Sequence, residues 1–293
     1  MPTDIRPRRS VLYMPGANAR ALDKARGLAA DGLIFDLEDA VLPDAKPGAR
    51  RIVAEALAAG GYGRRERLLR VNGLDTPWGH DDLVAAAKLD IHGVVLPKIE
   101  AAATIRQSLA ILDRNGAAPD LAVWVMMETP LAMLRVEEIA GSSPRLAGFV
   151  MGTSDLANDL HASHTRDRLP LLTGLGLCLL AARGHGLAIL DGVYLDLADD
   201  EGFAHSCRQG VELGFDGKTL IHPKTIDAAN AAYAPDEAAI AQARRFVAGF
   251  EAAQAEGKGV VLVDGKLVEN LHVANSRRLV ALADSIAALG SGS

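Results

Sequence analysis

Residues 122–128 read Ala-Val-Trp-Val-Met-Met-Glu, a continuous run of six apolar residues that ends at a carboxylate. A run of this kind predicts a strand buried on both faces, as the strands of a parallel sheet are. Further β-rich runs lie at 10–13, 32–37, 67–71, 93–96, 146–151, 186–190 and 215–220. Together these segments predict eight buried strands in one chain.

Alanine-rich segments with helical apolar spacing separate the strands, among them 19–30, 47–59 and 100–114. This alternation of strand and helix is typical of repeated βα units and a parallel sheet. An open doubly wound sheet would need a Gly-rich dinucleotide loop, which the turn Pro15-Gly16-Ala17-Asn18 does not supply. We therefore predict an α/β fold, a (β/α)₈ TIM barrel, for which the 293 residues suffice.

Residues 221–293 follow the eighth strand and exceed what barrel closure needs. We assign residues 1–230 to the barrel catalytic domain and residues 231–293 to a C-terminal extension. The extension is predicted to contain a helix at 238–256, a hairpin turn at Asp264-Gly265 and a helix at 272–289. We expect it to pack on a neighbouring subunit or to cover the active site.

Composition excludes several classes of function. The net charge of −6 and the absence of a basic stripe argue against nucleic-acid binding. No run approaches the ~20 apolar residues of a membrane span, and the polar residues 1–10 lack the apolar core of a signal peptide. The two cysteines, Cys178 and Cys207, have neither metal-ligand nor redox spacing. We expect a cytoplasmic enzyme.

Functional groups of a (β/α)₈ barrel lie where each strand ends and its loop begins. Polar side chains occupy these positions along most of the chain, although they are distant in sequence. They converge only if the chain closes into a barrel, so the set is more specific than any single motif. Its members are Tyr13, Glu38, Asp39, Arg70, Asn72, Lys98, Glu128, Ser154, Asp155, Asp191 and His222.

Glu128 and Asp155 are the predicted metal ligands. Each carboxylate follows an apolar strand without a Cys or His nearby, and such hard oxygen donors favour Mg²⁺. The alternative for either residue alone is a carboxylate in the first turn of a helix.

The acids Glu38 and Asp39 either hold metal-bound waters or cap the following loop. Arg70 ends a buried strand, where an unpaired guanidinium would be unfavourable. It should therefore meet a developing oxyanion, a carboxylate such as Glu38 or Asp39, or both.

Eight motifs in a fixed order identify a known family. They are LYMPG (12–16), DLEDAV (36–41), RVN (70–72), LPK (96–98), ETP (128–130), GTSDL (152–156), DGKTLIHP (216–223) and DGKLVE (264–269). With them the sequence resembles the citrate lyase β-subunit-like branch of the HpcH/HpaI aldolase family, near the malyl-CoA and citramalyl-CoA lyases. The resemblance extends from about Arg9 to Leu279, nearly the whole chain.

The resemblance implies roles for individual residues. Glu128 and Asp155 would bind Mg²⁺, or Mn²⁺ in its place, and Arg70 would contact the acyl carbonyl. The remaining substrate contacts, including those to the CoA portion, would come from Tyr13, Arg20, Lys24, Ser154, Asp155, Ile221 and His222.

The last motif would reach a neighbouring subunit's site in a homotrimer or hexamer. There Glu269 stands where relatives usually carry Asp.

The implied reaction is cleavage of a small β-hydroxyacyl-CoA to acetyl-CoA and a 2-oxo acid, or the reverse condensation. Arg70 would stabilise the enolate oxygen and Glu269 would protonate the enolate carbon. Three alternatives stay open: a metal-dependent aldolase of free 2-oxo acids, a citryl-acyl-carrier-protein lyase β subunit, and a non-catalytic acyl-CoA-binding protein.

Overall fold

The structure, a computed structural model, describes residues 5–290 of the chain. The first four residues of the polar N-terminal stretch and residues 291–293 of the predicted extension lie outside the described part. Two compact units are present. Arg8–Tyr233 form the barrel unit, and residues 5–7 together with 234–290 form the C-terminal unit.

Eight parallel strands form a closed barrel in the barrel unit, and each strand pairs with its neighbours in chain order until β1 meets β8. The predicted (β/α)₈ fold is therefore confirmed. The strands are β1 Ser10–Pro15, β2 Gly32–Asp36, β3 Glu66–Arg70, β4 Gly93–Leu96, β5 Ala122–Met127, β6 Leu146–Met151, β7 Ala188–Asp191 and β8 Gly217–Leu220.

Helices of the barrel unit follow the strands along the chain. They are α1 Ala19–Ala25, α2 Lys46–Ala59, α3 Gly79–Ala86, α4 Ala102–Arg114, α5 Pro130–Leu134, α6 Val136–Ala140, α7 Thr153–Asp159, α8 Leu172–His185, α9 Asp200–Leu213 and α10 Ile226–Tyr233.

Glycines move two boundaries away from the predicted ones. The first helix ends at Ala25 rather than near residue 30, and a turn at Arg26-Gly27 follows it. Strand β7 starts at Ala188 because Gly186 ends α8 in the left-handed conformation.

The C-terminal unit contains two helices and a hairpin: α11 Glu237–Ala255, β9 Val261–Val263, β10 Lys266–Val268 and α12 Asn270–Gly290. Asp264 and Gly265 both have positive φ, as the two central residues of a type I′ hairpin turn require. Phe250, Val268 and Val273 form a small apolar cluster. Although α12 is 21 residues long, no helix among residues 5–290 combines the length and apolarity needed to cross a membrane.

Side chains alternate along each barrel strand between the lumen and the helical layer. The lumen cluster consists of Val11, Ile34, Leu68, Val95, Trp124, Met126, Val150 and Leu190. The intervening residues, such as Leu33, Leu69 and Val125, pack in the larger cluster shared with the helices. The lumen is therefore a packed core, and its contents close the barrel beneath the strand ends.

Trp124 fills the lumen because the strands on both sides carry glycine. Gly148 is in register with Trp124, and a Cβ there would lie 2.4 Å from Trp124 Cζ3 and 2.7 Å from the Ala188 carbonyl oxygen. A Cβ at Gly93 would lie 3.2 Å from Trp124 Cδ1. The indole thus occupies space that side chains on β4 and β6 would otherwise take.

We predict that Gly148→Ala destabilises the protein by about 1–3 kcal/mol, because the added methyl overpacks the lumen against the indole and a carbonyl. Urea unfolding measures the change. The matched control is Gly176→Ala inside α8, where an added Cβ meets nothing within 4 Å. The control should be more stable by roughly 0.5–1 kcal/mol, since alanine favours helices. Equal effects of the two substitutions would contradict this packing account.

Candidate active site

A polar layer replaces the apolar lumen at the carboxyl ends of the strands. Tyr13, Asp36, Arg70 and Glu128 continue the lumen-facing alternation of the residues two positions before them. Beside this layer is a cavity of about 340 Å³, whose lining includes Tyr13, Arg70, Ser154, Asp155, Leu195 and Ile221. The strand ends thus bring together side chains that are far apart in the sequence.

Arg70 forms a bidentate ion pair with Asp36, the residue opposite it on β2. Its Nε donates to Asp36 Oδ1 at 2.7 Å and its Nη2 to Asp36 Oδ2 at 2.6 Å. Arg70 is 7% exposed and Asp36 is fully buried. Sequence reasoning expected Glu38 or Asp39 as the partner and did not nominate Asp36. The parity of Asp36 with the lumen residue Ile34 was the available signal.

Asp36 also organises the turn that follows β2. Its Oδ1 accepts the backbone N–H of Glu38 at 2.9 Å, and its Oδ2 accepts that of Ala40 at 3.1 Å. Each carboxylate oxygen therefore accepts one guanidinium and one backbone hydrogen bond. This pattern of charge-assisted bonds keeps both charges satisfied in a buried position.

Glu38 and Asp39 contact the remaining terminal nitrogen of Arg70. Arg70 Nη1 lies 3.0 Å from Glu38 Oε2 and 3.3 Å from Asp39 Oδ2. Burial, together with the neighbouring Asp39 and Asp36, raises the pKa of Glu38 to about 8 against the attraction of Arg70. The predicted pairing of Arg70 with these two acids is present, but it is secondary to the pair with Asp36.

Arg70 keeps an N–H on Nη2 that could meet a substrate. Three of the five guanidinium hydrogens are donated, two to Asp36 and one to Asp39, Glu38 lies within ion-pair distance of Nη1, and Nη2 has no second acceptor within residues 5–290. The guanidinium carbon lies 4.8 Å from the centre of the Tyr13 ring. Stacking on Tyr13 and pairing with Asp36 together restrict the plane of the guanidinium.

Glu128 is a buried carboxylate that forms no salt bridge within the described part of the chain. It is 1% exposed, and its Oε1 accepts the backbone N–H of Lys98 at 2.7 Å. Burial, with a contribution from Asp155, raises the pKa of Glu128 to about 7 against the opposing effects of the Lys98 amide and the charges of Arg70 and Lys98. Lys98 presents its amide from a left-handed conformation, φ 48°.

Gly152 lets the start of α7 approach Glu128. A Cβ at Gly152 would lie 2.3 Å from Glu128 Cβ and 2.5 Å from Glu128 Oε2. Ser154 and Asp155 lie in the first turn of α7 and are half-buried beside the cavity. The Gly-Thr-Ser-Asp sequence therefore places a second carboxylate next to Glu128.

The pair Glu128 and Asp155 fits a hard divalent cation. Residues 5–290 contain no cluster of three or more His, Cys, Asp or Glu side chains of the kind that holds a metal by itself. Mg²⁺ is commonly bound by one or two carboxylates while water and substrate oxygens fill its other positions. A cation would also relieve the unfavourable burial of Glu128, whose pKa is raised in its absence.

The other predicted substrate residues are distributed differently. Arg20 and Lys24 are exposed, lie four residues apart on one face of α1, and form no salt bridge within residues 5–290. Ile221 lines the cavity, whereas the His222 ring accepts the Lys224 backbone N–H at 3.1 Å and caps a short 3₁₀ turn. Glu269 is exposed just before α12 in the C-terminal unit.

Comparison with known proteins adds a family and close relatives. The family model "HpcH/HpaI aldolase/citrate lyase" matches residues 9–223. A (3S)-malyl-CoA thioesterase of Cereibacter sphaeroides is 52% identical over 96% of both chains. An L-malyl-CoA/β-methylmalyl-CoA lyase of the same species is 33% identical over 97% of this chain and 96% of its own.

A solved structure agrees in fold and bears ligands. The crystal structure of the protein CitE from Mycobacterium tuberculosis, in complex with magnesium, acetoacetate and coenzyme A, superposes with a TM-score of 0.74. It is 29% identical and covers 94% of this chain and 97% of that chain.

We predict that Asp36→Asn lowers the free energy of unfolding by roughly 3 kcal/mol, because it leaves the buried Arg70 without its bidentate counter-charge. The control is Asp39→Asn, which removes a carboxylate that also contacts Arg70 but is 58% exposed. That change should cost less than about 1 kcal/mol. Denaturant unfolding of both variants measures the difference, and a control as destabilised as Asp36→Asn would refute the leading role of the Asp36 pair.

Proposed function

This chain belongs to the HpcH/HpaI aldolase/citrate lyase family, and we propose that it is a Mg²⁺-dependent lyase of a small β-hydroxyacyl-CoA. Malyl-CoA and citramalyl-CoA are the proposed substrates, cleaved to acetyl-CoA and glyoxylate or pyruvate. The observation that carries this proposal is the juxtaposition at one barrel end of Arg70, whose Nη2 keeps an N–H without an acceptor among residues 5–290, and the buried Glu128, which forms no salt bridge among them.

The substrate hydroxyl loses its proton to water and becomes the carbonyl of the 2-oxo acid, while the electron pair of the breaking carbon–carbon bond moves into the thioester, whose carbonyl becomes an enolate. Arg70 is suited to donate the second hydrogen of Nη2 to that oxygen, since its hydrogen bonds to Asp36 and Asp39 and its ion pair with Glu38 hold the guanidinium in place. Mg²⁺ held by Glu128 and Asp155, with Mn²⁺ as an acceptable substitute, would supply Lewis acidity toward the hydroxyl and carboxylate of the substrate. Glu38 and Asp39 would orient water at this centre.

The CoA portion would extend from the cavity toward α1. Arg20 and Lys24 present two cations on one exposed face, neither with a salt bridge to another described residue, which suits phosphate recognition. Tyr13 would contact pantetheine, and Ser154, Asp155, Ile221 and His222 would bind the acyl end. A CoA complex is known for the CitE protein of Mycobacterium tuberculosis.

Glu269 is the proposed proton donor to the enolate carbon, acting from a neighbouring subunit. The proposal includes a cytoplasmic homo-oligomer, a trimer or hexamer, in which the C-terminal unit completes another chain's site. The Glu269 side chain is exposed, and Leu271, near the start of the helix that follows it, is 66% exposed.

Hydrolysis of the same thioester is the second candidate. The 52% sequence identity to a (3S)-malyl-CoA thioesterase favours hydrolysis. Water would attack the thioester carbon, the carbon–sulfur bond would break, and Arg70 would stabilise the oxyanion. The products are then free CoA and the hydroxy acid. Both reactions use the same bound ester and the same polarised carbonyl.

Product analysis separates the two reactions. Purified enzyme is incubated with malyl-CoA and with citramalyl-CoA, with and without Mg²⁺, and CoA products are resolved chromatographically. Acetyl-CoA with glyoxylate or pyruvate indicates cleavage, whereas free CoA with malate or citramalate indicates hydrolysis. Failure of the folded enzyme to consume either ester with Mg²⁺ would reject both proposals.

We predict that Glu128→Gln and Asp155→Asn each remove Mg²⁺-dependent turnover and weaken Mn²⁺ binding, while the fold is retained. Each substitution keeps side-chain shape and removes one anionic ligand of a hard cation. Mn²⁺ binding by electron paramagnetic resonance and turnover with excess EDTA are the measurements. The control is Asp159→Asn in α7, an exposed acid outside the cavity lining. Full activity of either ligand variant, or of wild type in EDTA, would exclude the metal assignment.

Metal affinity should rise with pH through the neutral range. The pKa of Glu128 is raised to about 7 in the metal-free protein, so the carboxyl is mostly protonated at pH 6 and mostly ionised at pH 8. Because the ligand must be deprotonated, apparent Mn²⁺ affinity should increase about tenfold from pH 6 to pH 8. Titrations at both pH values test this, and an affinity that is independent of pH would contradict it.

Glu269 and Arg70 should complement each other between subunits. We predict that Arg70→Ala and Glu269→Gln proteins are each inactive in cleavage, and that mixing them under subunit exchange restores activity at sites with both residues intact. Mass spectrometry of differently tagged chains establishes that hybrids form. Hybrids without activity would show that Glu269 does not act across the interface.

A further inference from the structure

Lys46, the first residue of α2, is a buried lysine without a carboxylate partner. It is 6% exposed, and it forms no salt bridge within residues 5–290. Its Nζ donates to the carbonyl oxygens of Leu37 at 3.0 Å and Glu38 at 2.7 Å, and to Asn72 Oδ1 at 2.7 Å. All three ammonium hydrogens are therefore used, and all acceptors are neutral. Burial of an ammonium beside neutral acceptors alone is unfavourable for stability, so its presence here indicates a role other than stabilisation.

A series of hydrogen bonds connects Lys46 through Asn72 to Asp82 and Arg50. Asn72 Nδ2 donates to Asp82 Oδ2 at 2.6 Å and to the Leu37 carbonyl at 2.9 Å. Asp82 is fully buried on α3, and its Oδ1 accepts from Arg50 Nε on α2 at 2.7 Å. These hydrogen bonds thus connect α2 and α3, outside the barrel strands, to the end of β2.

The turn after β2, residues 37–40, is held on two sides. Asp36 accepts its Glu38 and Ala40 N–H groups, and Lys46 donates to its Leu37 and Glu38 carbonyls. The same turn carries the carboxylates of Glu38 and Asp39 that contact Arg70 Nη1. Displacement of this turn would therefore change the contacts that orient the guanidinium.

Charge gives a second reason for lysine at this position. Asp36 and Asp39 place two carboxylates around the single guanidinium of Arg70, and Glu38 adds a third carboxyl group that is partly ionised near neutral pH. The ammonium of Lys46 supplies another positive charge at the backbone of the same turn. A neutral donor could satisfy carbonyls but could not offset this excess of negative charge.

We propose that Lys46 is a positioning residue that fixes the turn at residues 37–40 and thereby the direction of the free N–H of Arg70. Its kinetic consequence rests on the proposed function, since that function makes Arg70 the donor to the acyl oxygen. Its structural consequence is independent of the proposed function, because the contacts among Lys46, the turn and Arg70 exist without substrate.

The kinetic test compares Lys46→Met with Arg65→Met. Arg65 also donates to two backbone carbonyls, those of Tyr62 and Leu28, but it precedes β3 at the opposite end of the barrel. We expect Lys46→Met to lower kcat at least about tenfold, with KM for the CoA ester within about threefold, because a small displacement of a catalytic donor is costly. Arg65→Met should change neither constant by more than about twofold.

The second readout is independent of activity. Hydrogen exchange of the Arg70 Nε–H, followed by ¹⁵N NMR, should be at least about tenfold faster in Lys46→Met than in wild type or Arg65→Met. If wild type consumes no CoA ester, the proposed function fails, yet this exchange still decides the role of Lys46. Should Lys46→Met not fold, Lys46→Gln, which keeps two donors without the charge, replaces it. Wild-type kcat and wild-type exchange in a folded Lys46 variant would overturn the proposal.

Discussion

Arg70 and Asp36 lie opposite each other on neighbouring strands, and the candidate site is arranged around the two hydrogen bonds that join them. Packing below this pair admits no water-filled channel, because Trp124 and the apolar lumen residues fill the barrel. Two buried charges must therefore satisfy each other and the adjacent turn. Glu38 and Asp39, which lie on that turn, are within ion-pair distance of Arg70 Nη1, while Nη2 keeps one N–H without an acceptor among the described residues.

The two charged groups of the site are unequally compensated. Arg70 is within ion-pair distance of three carboxyl groups, whereas Glu128 accepts a backbone N–H, forms no salt bridge among residues 5–290 and feels the charges of Arg70, Lys98 and Asp155 only at longer range. An excess of negative charge beside a cavity suits a divalent cation together with an anionic substrate. Cleavage and hydrolysis of a CoA ester both begin from a polarised thioester carbonyl, so one arrangement can serve either reaction. The sequence similarity of this chain to both a malyl-CoA thioesterase and a malyl-CoA lyase is consistent with that shared requirement.

The strands and the barrel were predictable because continuous apolar runs and strand–helix alternation are local signals. Arg70 and Glu128 were predictable because they end such runs. Asp36 and Lys46 were not predicted as site residues, because Asp36 lies inside the predicted strand 32–37 rather than after it and Lys46 lies just before the predicted helix 47–59. The parity of Asp36 with Ile34 indicates its direction, but its pairing with Arg70 and the contacts of Lys46 depend on the register of the closed barrel. The proposed role of Glu269 depends on an assembly of several chains, which the structure of one chain does not define.

The most direct measurement of the central claim, that Arg70 polarises an acyl carbonyl at this site, is solvent-hydrogen exchange into the methyl group of acetyl-CoA. The enzyme is incubated with acetyl-CoA and Mg²⁺ in deuterium oxide, and deuterium in the acetyl group is followed by mass spectrometry. The account predicts Mg²⁺-dependent exchange by wild type and almost none by Arg70→Lys, because an ammonium cannot reproduce the planar fork that pairs with Asp36 and still donates outward. Exchange at the wild-type rate by Arg70→Lys, or none by a wild-type enzyme that binds acetyl-CoA, would contradict it.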